Sequence, residues 1–196
     1  YADVRDLKYE PNSITEIRSH HLLEHFSRVE SLILLSRWHK WLEPDGLLIV
    51  ETPDFEESVK KLLAAKIEKQ FVFARHIFGS QEAVWAYHKD FWSEAKFSYV
   101  LSRFGFGDLH FEKFSNNLDR KAPFLKNMPF PKEKLVENLG RFGLNNLPNI
   151  VCYAKKTTPR IDYRKTISEI LSQSLVGRER QSNILKVWLE DIEGKI

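Results

Sequence analysis

Residues 46–52 read GLLIVET, and this short stretch decides the fold class. It is a continuous apolar run that follows the turn-forming residues Pro44-Asp45-Gly46. An apolar segment of this length between turn signals is typical of a strand that is buried on both faces, as in a parallel sheet. Because helices have to cover both faces of such a sheet, the sequence predicts an α/β domain.

Strand and helix patterns alternate on both sides of this run. Residues 14–21 (ITEIRSHH) alternate partially and predict a strand. Ser27 has Glu30 three residues later, a capping-box signature that predicts the start of a helix. That helix carries leucines and tryptophans at helical spacing, including Trp38 and Trp41, which we expect in the core. On the other side of the run, the next helix is predicted over 54–68, with Asp54 as its N-cap.

The remaining elements follow the same alternation. The last two predicted strands are close in sequence and could pair antiparallel at one edge of the sheet. In chain order we predict an irregular aromatic-rich segment over 71–92, a helix capped by Ser93 and ended by Gly105, a strand over 108–114, a loop over 115–131, a short helix over 132–140 and a strand over 149–155.

The character of the chain changes after residue 156. Residues 157–165 form a basic, proline-containing linker, and two amphipathic helices follow, the second beginning near Ser182. We therefore divide the chain into a body, 1–156, and a helical tail, 157–196. The tail could pack on the body, pair with a second copy of the chain or lead to an adjoining domain.

Composition excludes several classes of protein. With 42% hydrophobic and 13% aromatic residues, 196 residues can bury a core, so the chain is not disordered. The net charge of +3 gives no indication of nucleic-acid binding. The single cysteine, Cys152, excludes an internal disulfide framework and favours the cytoplasm. No apolar run approaches the roughly 20 residues that a membrane span requires.

Four stretches of the body carry a resemblance to known proteins. They are ADVRDLKYEPNSITEIRSHHLLEHF (2–26), WHKWLEPDGLLIVETPDF (38–55), WSEAKFSYVLSRFGF (92–106) and NIVCYAKK (149–156). Together they resemble one enzyme family, the class I S-adenosylmethionine-dependent methyltransferases. The resemblance implies a Rossmann-like sheet, of which this chain would hold strands four to seven without the first strands, followed by the helical tail. It implies methyl transfer from S-adenosylmethionine to an acceptor.

A narrower resemblance points to the acceptor. Gly79-Ser80-Gln81 and the downstream His88 are similar to a loop of the small predicted methyltransferases, of the type 11-like group, that are found near glycan-assembly enzymes. This implies a hydroxyl of a small molecule or glycan as the acceptor. His88 lies among Trp85, Tyr87 and Trp92, and such an aromatic loop suits a sugar ring. The alternative is that these aromatic residues only pack as a lid.

The resemblance also implies cofactor contacts near the start of the chain. Asp3 would accept a hydrogen bond from the adenine amino group and the Val4 backbone N–H would face the ring; the alternative is that Asp3 is a solvated carboxylate. Ser19, at the end of a predicted strand, would line either the sulfonium centre or the acceptor. The family's glycine-rich loop is absent, because the eight glycines include no Gly-x-Gly-x-x-Gly pattern. We therefore expect the chain to begin after that loop and to be inactive as an isolated fragment.

Two histidines end the strand predicted before the central run. In open α/β sheets, ligands bind outside the carboxyl ends of the strands, which is where His20 and His21 would lie. A neutral imidazole there could accept a proton from an acceptor hydroxyl as the methyl group arrives. The alternative is that one histidine is a hydrogen-bonded strand residue and the other caps the next helix. We take His20, His21 and His88 as the candidate catalytic residues.

Two other functions compete with methyl transfer. His21-Leu22-Leu23-Glu24-His25 matches the H-x-x-E-H pattern, in which two histidines on one helix bind zinc and the glutamate acts as a base. The pattern fixes only three residues and falls at a strand-to-helix junction, so we predict no metal ligand. The missing glycine loop leaves a non-catalytic, partner-binding module as the stronger alternative.

Overall fold

The computed structural model describes residues 2–115, 147–181 and 183–196. Within these ranges the chain forms four strands and six α-helices. The strands are β1 Ile14–His20, β2 Leu42–Pro53, β3 Phe106–Phe114 and β4 Asn149–Lys156. The α-helices are α1 Arg28–Trp41, α2 Phe55–Ala64, α3 Ile67–Phe78, α4 Glu94–Arg103, α5 Tyr163–Ser172 and α6 Ile184–Asp191. Strand and helix alternate from β1 to β2, and three helices then follow before β3.

The four strands form one open, mixed sheet in the order β1-β2-β4-β3. β1 and β2 run parallel, whereas β4 is antiparallel to both of its neighbours. The predicted α/β class is confirmed, and this open sheet is consistent with the predicted Rossmann-like arrangement; the antiparallel pairing of the last two strands at one edge is also confirmed. Because β1 and β2 are parallel neighbours, their carboxyl ends meet at the same edge of the sheet.

Helix α1 supplies much of the core and starts as predicted. The Ser27 hydroxyl accepts from the Glu30 backbone N–H at 3.3 Å, and the Glu30 carboxylate accepts from the Ser27 N–H at 2.9 Å. Trp38 and Trp41 are 2% and 6% exposed, which confirms their core role. The helix ends at Trp41, and strand pairing begins at the next residue, Leu42, so the predicted turn at 44–46 lies inside β2 as an irregularity of the β1–β2 register.

The prediction over residues 54–92 is partly wrong. Asp54 caps a helix as predicted, accepting from the Glu57 N–H at 3.3 Å, but that helix ends at Ala64. Extended backbone at Ala65 and Lys66 breaks the expected single helix, and α3 then covers residues that we predicted to be irregular. The aromatic side chains of α3 obscured its helical pattern. The predicted loop from residue 116 onwards, the predicted helix over 132–140 and the predicted helix start at Ser182 lie outside the described residues.

The tail packs onto the body through α1. The buried His39 ring receives a hydrogen bond from the Tyr163 hydroxyl at Nδ1 (2.9 Å), and its Nε2–H donates to the Thr158 carbonyl (2.8 Å). Burial, together with the charge of Lys156, lowers the His39 pKa to about 4, so the ring stays neutral. The tail side chain of Ile167 is fully buried in the same core cluster as α1. Contacts of the tail with a second copy or an adjoining domain stay a prediction.

No helix in the described ranges has both the length and the apolar character needed to cross a bilayer.

Because Ile167 belongs to the core of the body, we expect Ile167→Ala to destabilise the whole domain by about 2–5 kcal/mol. Ile67→Ala is the matched control, since Ile67 is 59% exposed and should cost far less. Chemical denaturation followed by tryptophan fluorescence measures both variants. Equal, small effects would show that the tail does not contribute to the stability of the body.

Candidate active site

A cluster of histidines and two buried glutamates lies at the carboxyl ends of β1 and β2. His20 of β1 is paired in register with Glu51 of β2, so the parallel strands bring the two side chains to one edge. Glu24, in the turn after β1, is 2% exposed and Glu51 is 1% exposed. Carboxylates are rarely buried so deeply without charged or hydrogen-bonding partners, which marks this edge as a candidate site.

His21 lies between these two carboxylates. Its Nδ1 is 3.1 Å from Glu24 Oε1, and its Nε2 is 3.3 Å from Glu51 Oε1. Burial alone would lower the His21 pKa, but hydrogen bonds and charge from Glu24 and Glu51 outweigh it and raise the pKa to about 9. At neutral pH His21 is therefore an imidazolium with both N–H groups donating, which argues against its predicted role as a proton acceptor.

His20 is differently placed. Its Nε2 is 2.8 Å from Glu51 Oε1, and its side chain is 58% exposed at the end of the strand. A buried carboxylate that accepts from one ring nitrogen fixes the tautomer and orientation of the imidazole. It also stabilises the positive charge that forms when the other nitrogen takes up a proton. His20 and Glu51 thus form a histidine–carboxylate pair suited to general-base catalysis.

The H-x-x-E-H segment does not form a face of an α-helix. His21 has a left-handed backbone conformation, with φ of 46°, and the next residues form only a 3₁₀ turn, Leu23–His25. The helical i, i+4 arrangement of His21 and His25 that the zinc-hydrolase alternative requires is therefore absent. Glu24 holds the His21 ring rather than the helix start, because the capping box of α1 is made by Ser27 and Glu30.

The segment around His88 is hydrogen-bonded to this turn. The Lys89 backbone N–H donates to the Glu24 carbonyl at 2.8 Å, and His25 Nδ1 lies 3.1 Å from the Tyr87 carbonyl. The His25 and His88 rings meet edge to face with centroids 4.8 Å apart. Desolvation, partly offset by the charge of Glu24, lowers the His88 pKa, so this ring is neutral at pH 7.

His76 in α3 belongs to the same neighbourhood. Its Nε2 donates to the Pro148 carbonyl at 2.7 Å, and burial lowers its pKa to about 4. The positive charge of His21 contributes further to that lowering. His76 is therefore a neutral, structural neighbour of the site.

A cavity of about 520 Å³ opens beside His88. Its wall includes Phe55, Phe91 and Trp92, so aromatic faces are available to a bound molecule. Trp92 is 1% exposed, and its indole Nε1–H has no hydrogen-bond partner among the described residues. A buried donor without a partner is rare in proteins and is available to a ligand oxygen.

One charged pair also lines this cavity. Lys96 Nζ lies 2.6 Å from Asp90 Oδ2 and 4.4 Å from the ring centroids of both Phe91 and Trp92. Burial lowers the Lys96 pKa, although the Asp90 carboxylate counteracts this effect. The pair thus places charged groups directly beside the aromatic faces of the cavity.

The aromatic residues singled out from the sequence separate into two groups. Trp92 and His88 line the cavity, as acceptor binding would require. Trp85 is 71% exposed and Tyr87 is 45% exposed, and neither belongs to the cavity wall. Acceptor contact by Trp85 and Tyr87 stays a prediction.

The residues predicted to hold the cofactor lie apart from the histidine cluster, except for Ser19. The two oxygens of the Asp3 carboxylate accept four hydrogen bonds from the backbone N–H and the guanidinium group of Arg5, at 2.7–3.2 Å. This pairing lowers the Asp3 pKa to about 2. Asp3 therefore fits an adenine amino group only if Arg5 moves away. Val4 is half-buried in the turn that Asp3 caps. Ser19, 5% exposed beside His20, fits a ligand better, because its hydroxyl has no partner among the described residues.

Sequence reasoning did not place Glu24 and Glu51 among the site residues. The available signal for Glu51 was a carboxylate directly after four apolar residues of a buried strand. Glu24 was considered only within the zinc pattern and as part of a helix start. Neither reading could reveal that the two carboxylates share His21, because they are 27 positions apart and only the sheet register brings them together.

Comparison with known proteins gives matches among solved structures only. No protein-family model matches the sequence, and no curated protein matches it. An Archaeoglobus fulgidus SAM-dependent methyltransferase is 17% identical, with a TM-score of 0.46 and coverage of 79% of this chain and 66% of that one. Phosphoethanolamine N-methyltransferase 2 of Haemonchus contortus, in complex with S-adenosyl-L-methionine, is 16% identical, with a TM-score of 0.46 and coverage of 80% and 36%. The chain thus spans less than two thirds of the length of either protein.

The charge of His21 should be visible in the pH dependence of stability. Its pKa is raised from 6.5 to about 9, so its contribution is complete below about pH 6.5 and is lost as the pH rises through about 9. We expect the difference in melting temperature between the native protein and His21→Gln to shrink from about pH 6.5 to pH 10. His110→Gln, at an exposed histidine of β3, is the control. A pH-independent difference would contradict the imidazolium assignment.

Proposed function

We propose that this chain provides the acceptor side of an S-adenosylmethionine-dependent methyltransferase that acts on a hydroxyl of a small molecule or glycan. The observation that carries this proposal is the His20–Glu51 pair, 2.8 Å apart, at the carboxyl ends of two parallel strands. Ligands of open α/β sheets bind at this edge. The resemblance of the sequence to class I methyltransferases supplies the reaction type.

The pair would remove the proton of the acceptor hydroxyl. With Nε2 lying 2.8 Å from Glu51 Oε1, a neutral His20 ring would keep its proton on Nε2 and use Nδ1 as the proton acceptor. Glu51 stabilises the imidazolium that results, as a buried carboxylate does in catalytic triads. His21 cannot perform this step at pH 7, because it is already protonated. It acts as a positioning residue that holds Glu51 in place from the other side.

The aromatic cavity would hold the acceptor. The Trp92 indole N–H and the Asp90–Lys96 pair offer polar contacts to hydroxyl groups, and the face of Phe91 suits the apolar face of a sugar ring. His88 joins the cavity to the histidine cluster, because it lines the cavity and packs against His25. A small polyhydroxylated acceptor matches this mixture of aromatic and polar groups.

Two residues would contact the cofactor within the described part of the chain. These would be the Ser19 hydroxyl, which has no partner among the described residues, and the Val4 backbone N–H, whereas Asp3 would first have to release Arg5. Bound S-adenosylmethionine supplies an electrophilic methyl group for in-line attack by the acceptor oxygen. The residues of this chain orient that oxygen and take its proton.

Cofactor binding can be tested with S-adenosylhomocysteine. Calorimetric titration into the full-length native protein should give a dissociation constant in the micromolar range, which corresponds to a binding free energy of roughly −8 kcal/mol. Asp3→Ala should weaken binding at least about tenfold if the carboxylate meets the adenine. Asp108→Ala, at the start of the opposite edge strand, is the control. Failure of the folded native protein to bind would favour the non-catalytic, partner-binding module.

The role of His20 as the general base can be tested by measuring methyl transfer to a panel of sugars and glycans from S-adenosylmethionine that is labelled in its methyl group. We expect His20→Gln to lower kcat by about 10²–10⁴ while leaving the affinity for S-adenosylhomocysteine unchanged, because only proton removal is lost. His110→Gln should keep native activity. An unchanged kcat in His20→Gln would show that the His20–Glu51 pair does not take part in the reaction.

A further inference from the structure

We propose that Glu24, His25 and His88 form a binding site for one divalent transition-metal ion. Each of these residues offers one ligand atom, and the three atoms lie within 4.8 Å of one another. Two imidazoles and one carboxylate are a ligand set that binds Zn²⁺, Fe²⁺ and related ions while leaving further coordination positions open. The site does not depend on the methyltransferase proposal, because it rests on the geometry of these three residues.

In both imidazoles Nε2 is the nitrogen that would bind a metal. His25 Nδ1 is 3.1 Å from the Tyr87 carbonyl, and His88 Nδ1 is 3.2 Å from the Ile77 carbonyl. A carbonyl only accepts, so each Nδ1 carries the proton and each Nε2 carries the lone pair. Metal-binding histidines in proteins are held in this way, by donation from the second ring nitrogen to a backbone carbonyl or a carboxylate.

The glutamate presents an oxygen that nothing else in the described chain uses. Glu24 is 2% exposed, and its Oε1 is held by His21 at 3.1 Å. Its Oε2 is buried and has no hydrogen-bond partner among the described residues. Burying a carboxylate oxygen without a partner is costly, and a cation that coordinates Oε2 removes that cost.

The backbone holds the three ligands near the required spacing. The bond from the Lys89 N–H to the Glu24 carbonyl fixes the His88 segment against the turn that carries Glu24 and His25. Metal–ligand bonds of about 2.0–2.2 Å need ligand atoms roughly 3.3 Å apart in a tetrahedral site. Side-chain rotations that move the ligand atoms by about an ångström would bring them to that spacing. No rearrangement of the turn is required.

The ion would face a ligand cavity. Glu24 and His88 both line a small recess whose other walls include Phe91 and Trp92, residues that also line the larger cavity. The open coordination positions of the ion would therefore point towards a bound molecule or water. An acceptor hydroxyl could bind there, which would connect this site to the proposed chemistry.

A second histidine–carboxylate group in the cluster is a poorer ligand set. His20, His21 and Glu51 also bring three candidate atoms together. Both ring nitrogens of His21, however, face carboxylate oxygens, at 3.1 and 3.3 Å, so that ring donates on both sides and has no lone pair for a metal. This geometry distinguishes the proposed site from the H-x-x-E-H pattern, in which His21 would be a ligand.

Metal titration of the native polypeptide, after removal of bound metal with a chelator, tests the site. Zn²⁺ is added in a calorimeter and Co²⁺ is followed by its visible absorption. We expect one equivalent to bind, with affinity at least about 100-fold weaker in Glu24→Gln and His88→Gln. His110→Gln and His20→Gln are controls that should bind like the native protein. Circular dichroism establishes that each variant is folded.

One substitution separates a ligand from a merely structural residue. His88→Cys replaces an imidazole by a thiolate, so bound Co²⁺ should acquire a sulfur-to-metal charge-transfer band in the near ultraviolet. The only native cysteine, Cys152, is buried in β4 and does not interfere. Absence of saturable binding, binding that survives in Glu24→Gln and His88→Gln, or binding lost in His20→Gln would each overturn the proposal. Because these measurements involve no methyl donor, their outcome is independent of S-adenosylhomocysteine binding.

Discussion

The ion pair of His21 with the buried carboxylates of Glu24 and Glu51 is the interaction on which the whole site depends. Two ionised carboxylates cannot remain close together in a low-dielectric environment without a positive partner. His21 provides it and joins the end of β2 to the turn after β1. The left-handed backbone at His21, unusual for a residue with a side chain, turns the ring into this position. Glu24 and Glu51 in turn orient the surrounding histidines.

The sheet register and the backbone bonds of one loop assemble the remaining parts. Parallel pairing sets His20 opposite Glu51, and no other register of β1 against β2 would do so. The loop carrying His88 is more than 60 residues from His25, yet its backbone bonds to the Glu24 carbonyl hold it there. Residues of the site thus come from distant positions in the sequence, and hydrogen-bonded backbone, rather than a flexible loop, sets their separation.

The sequence predicts the scaffold well, because burial and capping leave local signals. The capping box at Ser27 and the glycine after α4 each identified a boundary correctly, and the apolar run at 46–52 identified a strand that in fact begins four residues earlier. Helix α3 was missed because its aromatic residues were interpreted as an irregular segment, although Phe71 and Phe78 are exposed side chains of a helix. His20 and His21 lie at the carboxyl end of β1, as expected. Their protonation, however, depends on contacts with Glu24 and Glu51, which no local pattern in the sequence encodes.

These contacts also couple the proposed base to the proposed ion site. His20 and His21 both approach the same oxygen of Glu51, Oε1, at 2.8 and 3.3 Å, so they compete for it. A cation bound to Glu24 would neutralise part of the negative charge that faces His21. His21 would then interact more strongly with Glu51. Glu51 would then interact less strongly with His20. An ion at the proposed site would thus act on the proposed base only indirectly, through His21 and Glu51, because His20 itself is not a ligand.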